Sequence, residues 1–180
     1  MAQLNVPVSS DDHIQGPDNA PVTLVEYGDY QCPYCGKAHP IVTALRRRFE
    51  DQLRFVFRHF PLTEIHPLAE PAAETAEFAG VQGRFWEMHG ALYEHQDQLG
   101  YTMFVALSKA LGLSLEELRD ALGSHTYASK IQRDVISGVR SGVKGTPTFF
   151  INGQRHDAGY GFSHLAAAIE AKLVPLATRI

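Results

Sequence analysis

Cysteine is scarce in this chain: its 180 residues include two, Cys32 and Cys35, and a single tryptophan, Trp86. Two cysteines this close in sequence cannot be a stabilising framework, because closing so short a loop removes little chain entropy. Their value is chemical. Long apolar runs are also missing. None approaches the roughly 20 residues needed to cross a bilayer, so no membrane insertion is expected. Excess charge of one sign is absent too, with a net charge of −4 and a pI near 6.1. The densest basic run, Arg46-Arg47-Arg48, reads as a solvated helix face, and no nucleic-acid partner is expected. Residues 1–19 are polar, acidic and broken by Pro7 and Pro17, without the basic and then apolar stretch of a secretory leader. The chain as written is therefore expected in the cytoplasm. A chain lacking its natural leader would read the same and would belong to the periplasm or another extracytoplasmic space.

What is present suits one packed domain over residues 1–180: 44% of the residues are apolar and 10% aromatic. Val22-Thr23-Leu24-Val25-Glu26-Tyr27 follows Gly16-Pro17 and Pro21 and reads as a buried strand. From Pro33 to about Phe49, Ile41, Val42, Leu45 and Phe49 recur at helical spacing. Leu53 to Phe60 largely alternates apolar with polar and reads as a second strand ended by Pro61. The right-handed crossover rule makes these strands parallel.

Residues from about 62 to 140 show repeated helical periodicity and read as an inserted helical subdomain. Its stripes are Phe85, Met88, His89, Leu92 and Tyr93, then Phe104, Leu107 and Leu111, then Ile131, Val135 and Val139. Ser114 has the spacing to cap a helix that buries Leu115, Leu118 and Leu122, and Pro71 marks a helix start or kink. Strand signal returns at Thr148-Phe149-Phe150-Ile151. Asn152-Gly153 predicts a type I′ hairpin into a short strand, before a last helix carrying Phe162, Leu165, Ile169 and Leu173 on one face.

The cysteines sit where the first strand gives way to the first helix. Attack on a disulfide needs a thiolate, and an ordinary cysteine, with a pKa of about 8.5, is mostly a thiol at neutral pH. At a helix start, unpaired N–H groups and the positive end of the helix dipole stabilise the anion on Cys32. Pro33 falls at the first helical position, where its missing N–H costs nothing. Cys35 shares a helical face with Cys32 and can close on it. These positions assign attack and mixed-disulfide formation to Cys32 and resolution to Cys35. Tyr34, between them, is placed to tune the couple and meet substrate. Gly28 and Asp29 read as the lead-in to an exposed turn.

The pair has other possible uses. It could be half of a zinc site completed from His39, His59 and His66, but no histidine pair follows at finger spacing and the strand-to-helix setting suits a redox motif, so no metal is expected. His59, at a strand end, reads as a hydrogen-bonded structural residue. Glu26 is either on a solvent-facing position or buried with a purpose. Pro147 is, by local pattern, ordinary punctuation before a strand.

Three segments together resemble the DsbA-like branch of the thioredoxin superfamily: Val25-Glu26-Tyr27-Gly28-Asp29-Tyr30-Gln31-Cys32-Pro33-Tyr34-Cys35, Arg58-His59-Phe60-Pro61 and Gly145-Thr146-Pro147-Thr148-Phe149-Phe150. The resemblance covers residues from about 20 to 173. It implies an α/β thioredoxin fold, a central mixed sheet flanked by helices with a helical insertion. It also implies a cis bond between Thr146 and Pro147, with Pro147 facing the cysteines and the Thr146 backbone pairing with bound polypeptide. It places in Glu26 a partly buried acid that accepts or relays the Cys35 proton.

The expected activity is thiol-disulfide exchange with protein or small-molecule thiols, in concert with a further redox partner. No cofactor beyond the Cys32-Cys35 dithiol is expected. The alternatives are a glutathione-linked enzyme of the same fold and a non-enzymatic metal- or peptide-binding module. In a reducing cytosol the same chemistry would run as reduction rather than oxidation.

Overall fold

The first strand, β1 (His13–Gln15), lies inside the segment that the sequence pattern reads as a polar N-terminal stretch. It pairs antiparallel with β3 (Leu53–His59), setting Ile14 against Val56. No hydrophobic alternation announces it. Arg58 holds it instead: its guanidinium binds both Asp12 carboxylate oxygens at 2.7 and 2.9 Å and donates to the carbonyls of Val6 and Pro7. Arg58 and Asp12 are both buried, so the N-terminal segment is fastened by an enclosed ion pair. Arg58→Ala would leave Asp12 without its cation and is expected to cost about 3–5 kcal/mol. Chemical denaturation monitored by Trp86 fluorescence would read the loss.

β2 (Val22–Gly28), α1 (Pro33–Phe49) and β3 form the expected strand-helix-strand unit, with β2 and β3 parallel. The remaining elements are α2 (Ala69–Gly80), α3 (Phe85–Glu94), α4 (Tyr101–Ala110), α5 (Leu115–Gly123), α6 (Ala128–Arg140), β4 (Thr148–Ile151), β5 (Gln154–His156) and α7 (Phe162–Leu173). The five strands form one mixed sheet in the order β1-β3-β2-β4-β5. Asn152 and Gly153 both have positive φ, 47° and 78°, which is the type I′ requirement, and the hairpin joins β4 to β5. The computed structural model describes residues 2–173; Met1 and residues 174–180, which the expected domain span includes, lie outside them.

Side chains alternate across β2, and this decides what lies beneath the cysteines. Val22 and Leu24 enter the larger core with Cys32, Cys35 and the inner face of α1, whereas Val25 and Tyr27 join Val56, Phe60, Val143 and Phe150 on the other face. Glu26 has the parity of Leu24, so it points toward the α1 side. It is buried, which excludes the solvent-facing reading of this residue.

Three helical stripes differ from expectation. Val139 and Leu115 are exposed, as is Phe162. In α6 the cause is polar: Asp134 accepts the His59 backbone N–H at 3.1 Å and the Ser137 hydroxyl pairs with that of Tyr27 at 2.8 Å. These residues face the sheet, and Val139 turns outward. The Ser114 side chain caps α5 by accepting the Glu117 N–H, with Leu118 and Ala121 rather than Leu115 buried beneath it. Pro71 falls in the first turn of α2, which begins at Ala69.

Candidate active site

Cys32 is the N-cap of α1. Its φ and ψ of −71° and 120° are extended, Pro33 opens the helix, and no acidic side chain stands in the first turn to compete for the free N–H groups. Both cysteines are free thiols. Cys32 is nearly buried and Cys35 wholly so, while Pro33 and Tyr34 are exposed. The Cys32 thiol donates to the carbonyl of Thr146 at 3.3 Å, and the Thr146–Pro147 bond is cis. Thus two of the three segments that carry the resemblance, far apart in sequence, meet at one sulfur.

The two thiols are driven in opposite directions. A hydrogen bond from Cys35 is the largest influence holding Cys32 down, to about 5, against the opposing effect of burial; the N–H groups of Cys35 and Tyr34 add to it. Burial pushes Cys35 far above the usual thiol range, reinforced by its bond to Cys32 and the charge on Glu26. Burial, and then the negative charge on Cys32, raises Glu26 to about 8. Its Oε1 is buried and has no hydrogen-bond partner among the described residues, and the same holds for Thr146 Oγ1. The expected signature is selective alkylation. Iodoacetamide should modify Cys32 with a pH midpoint near 5 and a rate that is flat through neutrality, leaving Cys35 untouched until the protein unfolds; mass spectrometry of the peptide spanning both would read it.

Two residues that shape this turn escape the sequence reading. Asp29, which leads into the turn, is itself buried. One of its oxygens accepts the N–H groups of Gln31 and Cys32 at 2.7 and 3.1 Å; the other binds the Leu62 N–H and His66 Nδ1 at 2.9 and 2.8 Å. The spacing from Asp29 to Gln31 and Cys32 is that of an Asx turn, a readable signal. Gln96 is the second. It reaches in from the helical segment after α3 and donates Nε2 to the carbonyls of Tyr30 and Cys32, at 2.7 and 2.8 Å. A Cβ at Gly36 would stand 2.3 Å from Gln96 Oε1, so this contact requires glycine there. Nothing local in sequence points to Gln96.

The histidines weighed as metal ligands go elsewhere. His66 binds Asp29, and His59 binds Glu77 at 2.8 Å. Among the described residues no histidine joins the two sulfurs in a ligand cluster.

An asymmetric dithiol at a helix N-terminus, facing a cis-proline segment on a mixed sheet, is the arrangement of a thioredoxin-type fold. A family model described as thioredoxin matches residues 9–171. Oxidised BdbD from Bacillus subtilis superposes with a TM-score of 0.82 at 24% identity, covering 96% of this chain and 98% of that one. For alpha-DsbA1 of Wolbachia pipientis the TM-score is 0.80 at 20% identity, with 93% of each chain covered. The chain belongs to the thioredoxin family, and its fold is that of the DsbA-like thioredoxin proteins. A curated relative named Na(+)/H(+) antiporter NhaA 1, from Salinispora arenicola, is 48% identical over 170 residues, 94% of this chain and 26% of that protein. The chain thus spans about a quarter of the length of such relatives. No helix among the described residues is long and apolar enough to cross a membrane.

Proposed function

We propose that the protein exchanges disulfides with polypeptide thiols through the Cys32-Pro33-Tyr34-Cys35 motif, running as a thiol oxidant. The observation that carries this is the placement of the two sulfurs, Cys32 as the N-cap of α1 against the cis Thr146–Pro147 segment and Cys35 buried behind it, which favours a thiolate at Cys32 and a protonated thiol at Cys35. In the oxidising direction a substrate thiolate attacks Cys32 Sγ of the Cys32–Cys35 disulfide. A substrate–Cys32 bond forms, the Cys32–Cys35 bond breaks, and Cys35 leaves as a thiolate that takes a proton from Glu26. A second substrate thiolate then attacks the substrate sulfur and releases Cys32 as its stabilised thiolate. In the reverse direction Cys32 attacks and Cys35 resolves.

The low pKa of Cys32 favours the reduced form of the couple, which makes its disulfide a ready electron acceptor. Pro147 and the Thr146 backbone, together with exposed Pro33 and Tyr34, form the surface against which substrate lies. Chemistry needs no dissociable cofactor, and glutathione is a competing thiol rather than a required one. A redox partner re-oxidises the dithiol in an extracytoplasmic compartment. Ion exchange is outside the proposal, since transport through a bilayer by helices needs apolar spans of about 20 residues.

The test is the reduction potential of the Cys32/Cys35 couple, measured by equilibration with glutathione buffers, together with oxidation of a reduced, unfolded substrate by the purified disulfide form. Stoichiometric oxidation and a potential above about −200 mV are expected. A potential near roughly −270 mV, as in thioredoxin, would overturn the oxidant direction and assign the protein to reduction.

A further inference from the structure

On the far side of β3 from the N-terminal ion pair, a second group of polar side chains is enclosed and takes no part in thiol chemistry. His13 on β1, His59 at the end of β3 and Glu77 on α2 come from three separate elements. The Nε2 atoms of His13 and His59 lie 2.6 and 2.8 Å from the same Glu77 oxygen, Oε1. The ligand-capable atoms of the three all fall within 4.8 Å of one another. His59 and Glu77 are buried; the His13 side chain keeps 18% of its surface exposed.

The rings are held in place. Phe85 stacks on His13 with planes 4° apart, and Phe57 and Phe85 pack edge-on against His59. Two imidazoles each donating to a carboxylate would account for two contacts. Both, however, converge on one oxygen, so that two imidazole nitrogens and a carboxylate from three separate elements are gathered in one aromatic setting. With the three side chains parted slightly, a divalent cation between these atoms would replace the two hydrogen bonds. Two imidazole nitrogens and one carboxylate oxygen are the donor set of zinc-type ions, which keep a further position for water. The exposed edge of His13 gives solvent that access.

We propose that His13, His59 and Glu77 form a binding site for a divalent ion of the zinc class, separate from the cysteines, that fastens α2 of the helical insertion to the sheet. Binding needs each Nε2 lone pair turned to the ion, so both imidazoles carry their proton on Nδ1 and any Nε2 proton is released to solvent; no electron is transferred. Because the ion bridges β1, β3 and α2, it stabilises the folded chain by mass action.

The test uses the full chain with its Cys32–Cys35 disulfide formed, so that the dithiol cannot bind metal, and Zn²⁺ added in competition with a chromophoric chelator. One equivalent should bind and raise the thermal midpoint, and His13→Ala, on a partly exposed edge strand, should weaken binding by more than about tenfold. On the unsubstituted chain, Zn²⁺ should shift the imidazole NMR signals of His13 and His59 and leave those of His39 and His66 in place. No binding at equimolar, micromolar Zn²⁺, binding unchanged in His13→Ala, or shifts confined to other histidines would each overturn the proposal.

Discussion

Cys32→Ser is expected to abolish turnover, by roughly 10³-fold or more, whereas Cys35→Ser should keep the first chemical step and accumulate a mixed disulfide with substrate. The difference follows from where the sulfurs lie. Cys32 sits at the helix N-terminus, held down to about 5 by the Cys35 hydrogen bond and by N–H groups of the first turn, which favours the thiolate at neutral pH. A serine hydroxyl there is neither ionised nor able to form a disulfide. Cys35 is buried and stays protonated until a mixed disulfide has formed on Cys32. Removing it leaves the mixed disulfide without its internal attacking group, and the adduct persists. Cys35→Ala, which unlike serine leaves no donor at this position, removes the largest influence on Cys32, so the alkylation midpoint of Cys32 should rise above 5 in that variant. Non-reducing gels and intact mass read the adduct. Equal residual activity in the two variants would refute the division of roles.

Much of this arrangement is legible in the sequence because it is local. The β-branched run at Val22, the helical recurrence of Val42, Leu45 and Phe49, and the Asn152-Gly153 turn each specify an element within a few residues, and the cysteines follow from their junction. The burial of Glu26 is half-legible: its parity with Leu24 is a property of the strand, but which face is covered by α1 is decided by the whole sheet. What cannot be read locally are contacts made across the insertion or along an edge. Gln96 reaches the carbonyl of Cys32 from beyond α3, and β1 exists because Arg58 draws Asp12 inward. Neither has a periodic signal. Polar demand likewise overrides hydrophobic pattern in α6, where Asp134 and Ser137 take the inward positions and Val139 is displaced to solvent.

Glu26→Gln should stabilise the reduced protein while slowing resolution, two effects of opposite consequence from one buried carboxyl. Its pKa is raised to about 8 from an ordinary 4.5, first by burial and then by the charge on Cys32. Below pH 4.5 the acid is protonated whether the chain is folded or not, and the substitution changes little. Between 4.5 and about 8 the unfolded chain ionises freely while the folded one retains its proton, so the parent loses stability as pH rises, and above about 8 the loss levels off. At pH 7 the penalty amounts to about 3 kcal/mol, which glutamine, never ionising, does not incur. Denaturant midpoints of parent and variant should therefore coincide near pH 4 and diverge toward pH 8. In the disulfide form Cys32 carries no charge, so there the gap should narrow to what burial alone imposes. Glutamine also has no proton to exchange with Cys35. Decay of the mixed disulfide should slow by roughly tenfold or more around neutrality and lose its pH dependence near 8. A variant that gains stability with unchanged resolution would leave Glu26 a buried acid with no part in proton transfer.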